Sequence, residues 1–174
     1  HGPKADYERQ LFAHDRAMEA GIDDIGLGVL FGLFDYKFDT LALVSHSQYL
    51  DRKYNVGPHT ISVPRFQPAL TVDMDLTHKV SEDRLLKIIS ILRMAVPYTG
   101  MIITTRERPE IRAKAFQIGI SQTSAASRTD PGGYGKKDAL QQFSLQDHRS
   151  VDEVLKSVLQ QGLLPSYCTA CYRL

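Results

Sequence analysis

Tryptophan is absent from these 174 residues, cysteine occurs only twice, and neither sign of charge is in excess. With 21 basic against 20 acidic side chains the formal net charge is +1, so bulk electrostatics supplies no attraction to nucleic acid or to an acidic membrane surface. No apolar run approaches the roughly 20 residues that a membrane-crossing helix requires, and the opening HGPKADYERQ has no apolar segment of a secretion signal. These absences predict a cytoplasmic chain without nucleic-acid or membrane partners. Position 1 is histidine rather than methionine, which predicts that the amino terminus is not a native start. The two cysteines, Cys168 and Cys171 in SYCTACYRL, stand at C-x-x-C spacing and point to metal or redox chemistry sooner than to a structural disulfide. Half of a zinc ribbon and a thioredoxin-like pair both fit that spacing, although no second C-x-x-C and no redox-fold context accompany it.

What is there is a chain 43% hydrophobic and 24% charged, enough for one core. Helices and strands alternate along it without a low-complexity linker or a repeat. YERQLFAHDRAMEA (Tyr7–Ala20) carries apolar residues at helical spacing and stops at Gly21. The Gly-containing apolar run Ile22–Leu33 reads as a strand, and Tyr36–Asn55 as a long helix. The same beat returns as HTISVPR and then SEDRLLKIISILRMAV, where Ser81 offers an N-cap ahead of an acidic first turn. It returns as GMIITTRE and then RPEIRAKAFQIG, with Pro109 in the first helical turn. A last strand, GISQTSAAS, leads through a Gly-rich connection to SVDEVLKSVLQQG, capped by Ser150 or Asp152 and ended by Gly162. That makes four βα units. The connection Arg128–Ser150 is long for a barrel turn and is expected to be a mobile surface segment.

Nearly continuous apolar strands between helices predict an α/β fold with a parallel sheet. Periodicity does not separate a doubly wound sheet from a barrel. Polar residues fall at the carboxyl ends of the strands, namely Arg65, Thr104, Thr105, Arg106, Gln122 and Ser124. In β/α barrels that end carries the chemistry, so the expectation is half of a (β/α)8 TIM-type barrel, its C-terminal half. Such a half leaves an open edge and an uncovered apolar face, which predicts self-association.

GVLFGLFD (Gly28–Asp35) fits G-x-[IL]-x-G-x-x-[ED] through Gly28, Leu30, Gly32 and Asp35. Glycines at this spacing let backbone approach a flat ligand closely. The stretch resembles the strand on which radical S-adenosylmethionine enzymes rest the adenine of their cofactor; a glycine-containing buried strand is the plainer alternative. Together with VGPHTISVPR, TTRERPEIR, SQTSAASRTDPGGY and LPSYCTACYR, it makes the whole chain similar to the tyrosine lyases that mature [FeFe]-hydrogenase. Thiamine-pathway tyrosine lyases share the middle stretches but lack the terminal cysteine pair.

The resemblance implies residues 1–162 as the C-terminal half of the radical barrel, the biotin and thiamin synthesis associated domain, and 163–174 as the start of an auxiliary-cluster domain. It implies S-adenosylmethionine and [4Fe-4S] clusters as cofactors, tyrosine as substrate, and hydrogenase maturation proteins as partners. Tyrosine would be cleaved to p-cresol and dehydroglycine, the latter becoming CO and cyanide on iron. The C-x-x-x-C-x-x-C that holds the radical-forming cluster does not occur in these residues, so they are expected to be inactive alone. Cys168 and Cys171 then match two of three auxiliary-cluster ligands, and His46 matches a histidine holding an extra iron. Gly28, Leu30, Phe31, Gly32, Asp35 and Arg65 are the expected cofactor contacts; for Arg65 the alternative is a bridge to acidic groups. Arg106 is expected to grip the tyrosine carboxylate with Ser124, Gln122 and Ser121 completing the clamp, against the alternative of pairing with Glu107 or Glu110. His59 is expected to cap backbone, while His1, His14, His78 and His148 read as solvated. Other readings are a thiamine-type lyase and a non-enzymatic half-barrel binding module.

Overall fold

A computed structural model describes residues 2, 5–67, 77–128 and 145–167. The segment expected as one helix over Tyr7–Ala20 divides into α1 (Tyr7–Leu11) and α2 (Ala13–Glu19). Phe12 leaves helical geometry at φ −88°, ψ 16°. The physical reason is anchorage: α1 buries no residue, whereas α2 buries Asp15. Helix α2 ends as its Gly predicts, with Gly21 at φ +86°. Its N–H reaches the Met18 carbonyl at 3.0 Å and that of Ile22 reaches Ala17 at 2.9 Å, the paired bonds of a Schellman ending.

Four βα units follow. They are β1 (Gly26–Gly28) with α3 (Tyr36–Tyr54), β2 (Thr60–Ser62) with α4 (Glu82–Ala95), β3 (Gly100–Ile103) with α5 (Pro109–Gln117), and β4 (Gln122–Thr123) with α6 (Val151–Gln160). Each helix starts on chemistry visible in the sequence. The Asp35 carboxylate accepts from the Lys37 N–H, and the Ser81 hydroxyl from the Arg84 N–H. Pro109 opens α5, and Ser150 forms a reciprocal capping box with Glu153.

All four strands are parallel, in the spatial order β1-β2-β3-β4. This order decides between the two α/β architectures. A doubly wound sheet reverses strand order at a switch point and carries helices on both faces; an unreversed order with one covered face is that of a barrel segment. Register makes the faces explicit. Leu27, Ile61 and Met101 stand in one row and, with Val63 and Ile103, are buried beneath the helices. Against them pack Leu43 and Leu50 of α3 and Leu85, Ile88, Ile89 and Leu92 of α4. Fully burying one such side chain contributes about 1.5–3 kcal/mol. The opposite rows are Gly26–Thr60–Gly100 and Gly28–Ser62–Ile102–Gln122. The face turned away from the helices, uncovered among the described residues, is therefore made of small and polar groups around Ile102. It is not the apolar face expected from the strand runs, because successive strand residues face opposite ways and the apolar ones take the helix side. Among the described residues no helix is long and apolar enough to cross a membrane.

Candidate functional site at the strand carboxyl ends

Beyond β1 the chain continues to Phe31, which bridges Arg65 in parallel fashion past the end of β2. Here the motif residues separate by role. Phe31 is wholly buried; its N–H donates to the Pro64 carbonyl at 2.9 Å and its carbonyl accepts from Phe66 at 2.8 Å. Gly32 has φ +108°, a conformation that favours glycine, and an added Cβ would meet Phe66 Cβ at 3.4 Å. A Cβ on Gly28 would stand 3.3 Å from the Ser62 carbonyl, so the close approach of β2 by itself selects a small residue there. Gly28 and the half-buried Leu30 share the uncovered side, open to a flat ligand, while Asp35 caps α3.

Arg65 is 8% exposed. Its Nε donates to Glu107 Oε1 at 2.8 Å, its Nη1 to the Val80 carbonyl at 2.8 Å, and its Nη2 to Glu107 Oε2. The fork closes on both carboxylate oxygens, the geometry in which a guanidinium binds most strongly. Glu107 had been weighed as a partner of Arg106; the structure gives it to Arg65.

Arg106 lies in the turn between β3 and α5. The Glu107 N–H reaches the Thr104 carbonyl at 3.3 Å, Gln67 Nε2 donates to the Arg106 carbonyl at 3.3 Å, and the N–H groups of Gln146 and Asp147 hold the Thr105 carbonyl at 2.9 and 3.1 Å. The turn is thus fixed from three directions. Arg106 is half-buried; burial lowers the pKa of its guanidinium and the Glu107 charge acts against that. It remains a cation.

Ser124 follows β4. Its hydroxyl is buried and has no hydrogen-bond partner among the described residues. Beside it Thr123 donates to the Ile103 carbonyl at 3.1 Å, and Arg112 Nη2 donates to Thr123 Oγ1 and to the Ser124 carbonyl. Arg112 and Asp147 are both 1% exposed and form an ion pair; Arg149 Nη2 adds a bond of 2.7 Å to Asp147. Burial raises the Asp147 pKa, but the bonds and charges of these arginines outweigh it and hold the carboxyl below its ordinary value. Asp147 and Arg112 were not foreseen, since they lie on segments joined only by folding.

Ser121 and Gln122 lie elsewhere. The Ser121 hydroxyl accepts from the Met101 N–H at 3.0 Å, ahead of β4 and at the amino-terminal side of the sheet. Gln122 crosses Gly100, where an added Cβ would come within 3.0 Å of its Nε2. His46 is on α3, with His14 edge-on at 5.3 Å and Tyr49 at 6.2 Å as ring neighbours. Burial and then His14 lower its pKa, which favours the neutral, ligating form. His14 is half-buried and contacts the Gly26 carbonyl through Nε2 at 3.0 Å, not solvated as its helical position suggested. Among the described residues no group of three His, Cys, Asp or Glu side chains is placed to hold a metal. Cys168 and Cys171 lie outside the described residues. Of the expected set, Arg65 and Arg106 are tied together at the strand carboxyl ends through Glu107 and Gln67, Ser124 follows the adjacent strand β4, and Gly28 and Leu30 lie at the end of β1.

Residues 62–164 match the family described as the biotin and thiamin synthesis associated domain. The chain is similar to the 2-iminoacetate synthases of Escherichia coli strain K12 and of Salmonella typhimurium, each 34% identical over 166 residues. That is 94% of this chain and 44% of each relative. Among solved structures it is similar to HydG, a maturase of the [FeFe]-hydrogenase, with a TM-score of 0.92 and 54% identity over 100% of this chain. It is likewise similar to the FeFe-hydrogenase maturase HydG of Carboxydothermus hydrogenoformans, with a TM-score of 0.91 and 48% identity over 99% of the chain. The chain spans 38% and 40% of those two structures.

Proposed function

From the premise that this chain belongs to the biotin and thiamin synthesis associated domain family, we propose that it forms the substrate-facing half of a radical S-adenosylmethionine tyrosine lyase of the hydrogenase-maturation type. The observations that carry this reading are an Arg106 held in the turn after β3, and, just past the neighbouring strand β4, the buried hydroxyl of Ser124, which has no hydrogen-bond partner among the described residues. Identities of 54% and 48% to the two maturases, against 34% to the 2-iminoacetate synthases, favour the maturation branch over the thiamine branch.

In this reading the Arg106 guanidinium binds the tyrosine carboxylate through parallel hydrogen bonds and Ser124 supplies a further donor. That holds the substrate in one orientation and removes much of the entropy loss from the reactive step. Gly28 and Leu30 would lie against S-adenosylmethionine, which together with a [4Fe-4S] cluster would supply hydrogen-atom abstraction. Cleavage between Cα and Cβ of tyrosine, after loss of one hydrogen atom to 5′-deoxyadenosine, would give dehydroglycine and a 4-hydroxybenzyl radical, which would take one electron from an external reductant and one proton to become p-cresol. Cys168 and Cys171, as soft thiolates, would hold an auxiliary cluster and His46 an additional iron, whose chemistry would be the division of dehydroglycine into CO, cyanide and water for hydrogenase assembly. Radical chemistry requires further polypeptide, since the two cysteines here do not form C-x-x-x-C-x-x-C.

The test is anaerobic turnover of the complete, cluster-loaded polypeptide with tyrosine. p-Cresol is expected, accompanied by cyanide and CO. Arg106→Gln raises KM for tyrosine about 10-fold or more, the loss of a charge-assisted carboxylate contact, and leaves KM for S-adenosylmethionine unchanged. Absence of p-cresol, or an unchanged tyrosine KM in that variant, overturns the reading. p-Cresol and dehydroglycine without cyanide would assign the chain to the thiamine branch.

A further inference from the structure

We propose that Arg112 of α5 is a positioning residue for the substrate clamp: its fork holds the turn that carries Arg106 and the backbone of Ser124 at one fixed separation. The inference rests on the carboxylate-clamp reading above and deepens it. The parallel ladder stops short of both clamp residues. Its last register pair between β3 and β4 is Ile103 with Thr123, so Ser124 and the turn of Thr104, Thr105 and Arg106 both lie past the end of the sheet. Arg112 takes over where the ladder ends. Its Nη2 donates to the Thr123 hydroxyl and to the Ser124 carbonyl, while Nη1 donates to Asp147 Oδ2. The Asp147 N–H in turn reaches the Thr105 carbonyl at 3.1 Å, beside that of Gln146 at 2.9 Å, and Thr105 adjoins Arg106 in sequence. On the strand side the Thr123 hydroxyl donates to the Ile103 carbonyl at 3.1 Å and stands 3.4 Å from the Ser124 carbonyl.

Burial and shape suit the fork to this role. Arg112 and Asp147 are each 1% exposed and Thr105 is 2% exposed, so water does not compete for these bonds and a low local dielectric strengthens them. A guanidinium is planar and its donors keep fixed directions, so one side chain sets the angle between its acceptors; an ammonium carries the same charge without that geometry. Arg112 Nε is buried and has no partner among the described residues, and at 1% exposure Arg112 does not itself touch the substrate. Asp147 keeps a second cation, with Arg149 Nη2 at 2.7 Å, so altering Arg112 does not strand the carboxylate. Gln67 steadies the turn from the β2 side through the Arg106 carbonyl at 3.3 Å, while Arg112 sets it against β4. A misplacement of about 1 Å in such a site costs on the order of 100-fold, so the separation of the two arms governs how well one carboxylate meets both.

The experiment reads KM for tyrosine, KM for S-adenosylmethionine and iron content in the complete, cluster-loaded polypeptide. Arg112→Lys keeps the charge and removes the fork; tyrosine KM is expected to rise about 10-fold, with S-adenosylmethionine KM and iron content within about twofold of the parent. Gly162→Ala is the control for lost stability alone: its backbone is left-handed at φ +75° and a Cβ there meets nothing within 4 Å. It is expected to lower the melting temperature and leave tyrosine KM unchanged. An unchanged tyrosine KM in Arg112→Lys, a rise shared equally by both KM values, or an equal rise in Gly162→Ala shows a general brace and overturns the inference. If Arg112→Lys does not fold, Thr123 decides the matter alone. Thr123→Val removes the hydroxyl and is expected to raise tyrosine KM about threefold, whereas Thr123→Ser keeps the parent value; equal tyrosine KM in those two variants overturns the inference. Arg106→Gln keeps the two readings apart: a raised tyrosine KM there with none in Arg112→Lys leaves the clamp standing and removes only the role of Arg112, and an unchanged one removes both.

Discussion

Asp15 shows how a single buried carboxylate acquires a function in the fold. It is 4% exposed, and its Oδ1 receives Tyr49 at 2.7 Å, Lys53 at 2.7 Å and Tyr54 at 2.9 Å. Burial alone raises its pKa, but these bonds and the Lys53 charge outweigh it and lower the value from 3.8 to about 2. A carboxylate whose folded-state pKa is depressed stabilises the fold above its unfolded pKa and loses that contribution as pH falls through the folded value. The stabilisation is therefore complete above about pH 4 and declines from there toward pH 2. Urea unfolding at stepped pH should show this decline, and Asp15→Asn should flatten it. A decline of equal slope in that variant would place the titration elsewhere.

At the scale of elements, the caps did most of the specifying, and the two glycines that end α5 and α6 separate conformation from packing. Gly119 has φ +131° and Gly162 has φ +75°, so alanine is strained at both. Around Gly162 a Cβ would meet nothing within 4 Å, while at Gly119 it would lie 2.7 Å from Arg93 Cγ. Arg93 cannot easily yield. It donates to the carbonyls of Gly119 at 2.7 and 3.0 Å, of Pro97 at 2.9 Å and of Thr99 at 2.9 Å, closing the end of α4 onto the end of α5. Gly162→Ala should cost about 1–2 kcal/mol, the left-handed penalty alone; Gly119→Ala should cost clearly more, read as the larger fall in melting temperature. Equal falls would mean that Arg93 moves aside without losing its bonds.

For the molecule as a whole, long-range ion pairs join segments that the sheet ladder does not. Asp147, on the segment entering α6, is held by Arg112 of α5 and by Arg149. Asp147→Ala leaves Arg112 buried without its partner and should destabilise by about 3–5 kcal/mol. The Arg108–Glu82 pair is bidentate at 2.8 and 2.9 Å, yet its side chains are 52% and 35% exposed. Glu82→Ala should cost about 0–1 kcal/mol for that reason. Denaturant midpoints of the two variants in the intact protein check the contrast, and comparable losses would show that burial does not set the value of these pairs.

From the sequence by itself came everything governed by local pattern. The four βα units, the starts at Ser81, Pro109 and Ser150, and the glycine endings are written in contiguous residues, because helix periodicity and capping act over at most a few positions; Asp35, expected as a cofactor contact, shows its capping role only in the structure. The parallel α/β class followed from the same pattern. Which face of the sheet is covered, and by what, was decided only by register and the unreversed strand order. So were the partners at the site: Arg65 finds Glu107 across 42 residues, and Asp15 finds its tyrosines and lysine across 34 to 39. A side chain's chemistry can be read in place, but its partner is set by the folded path that carries the second residue to within 3 Å, and no local period encodes that meeting.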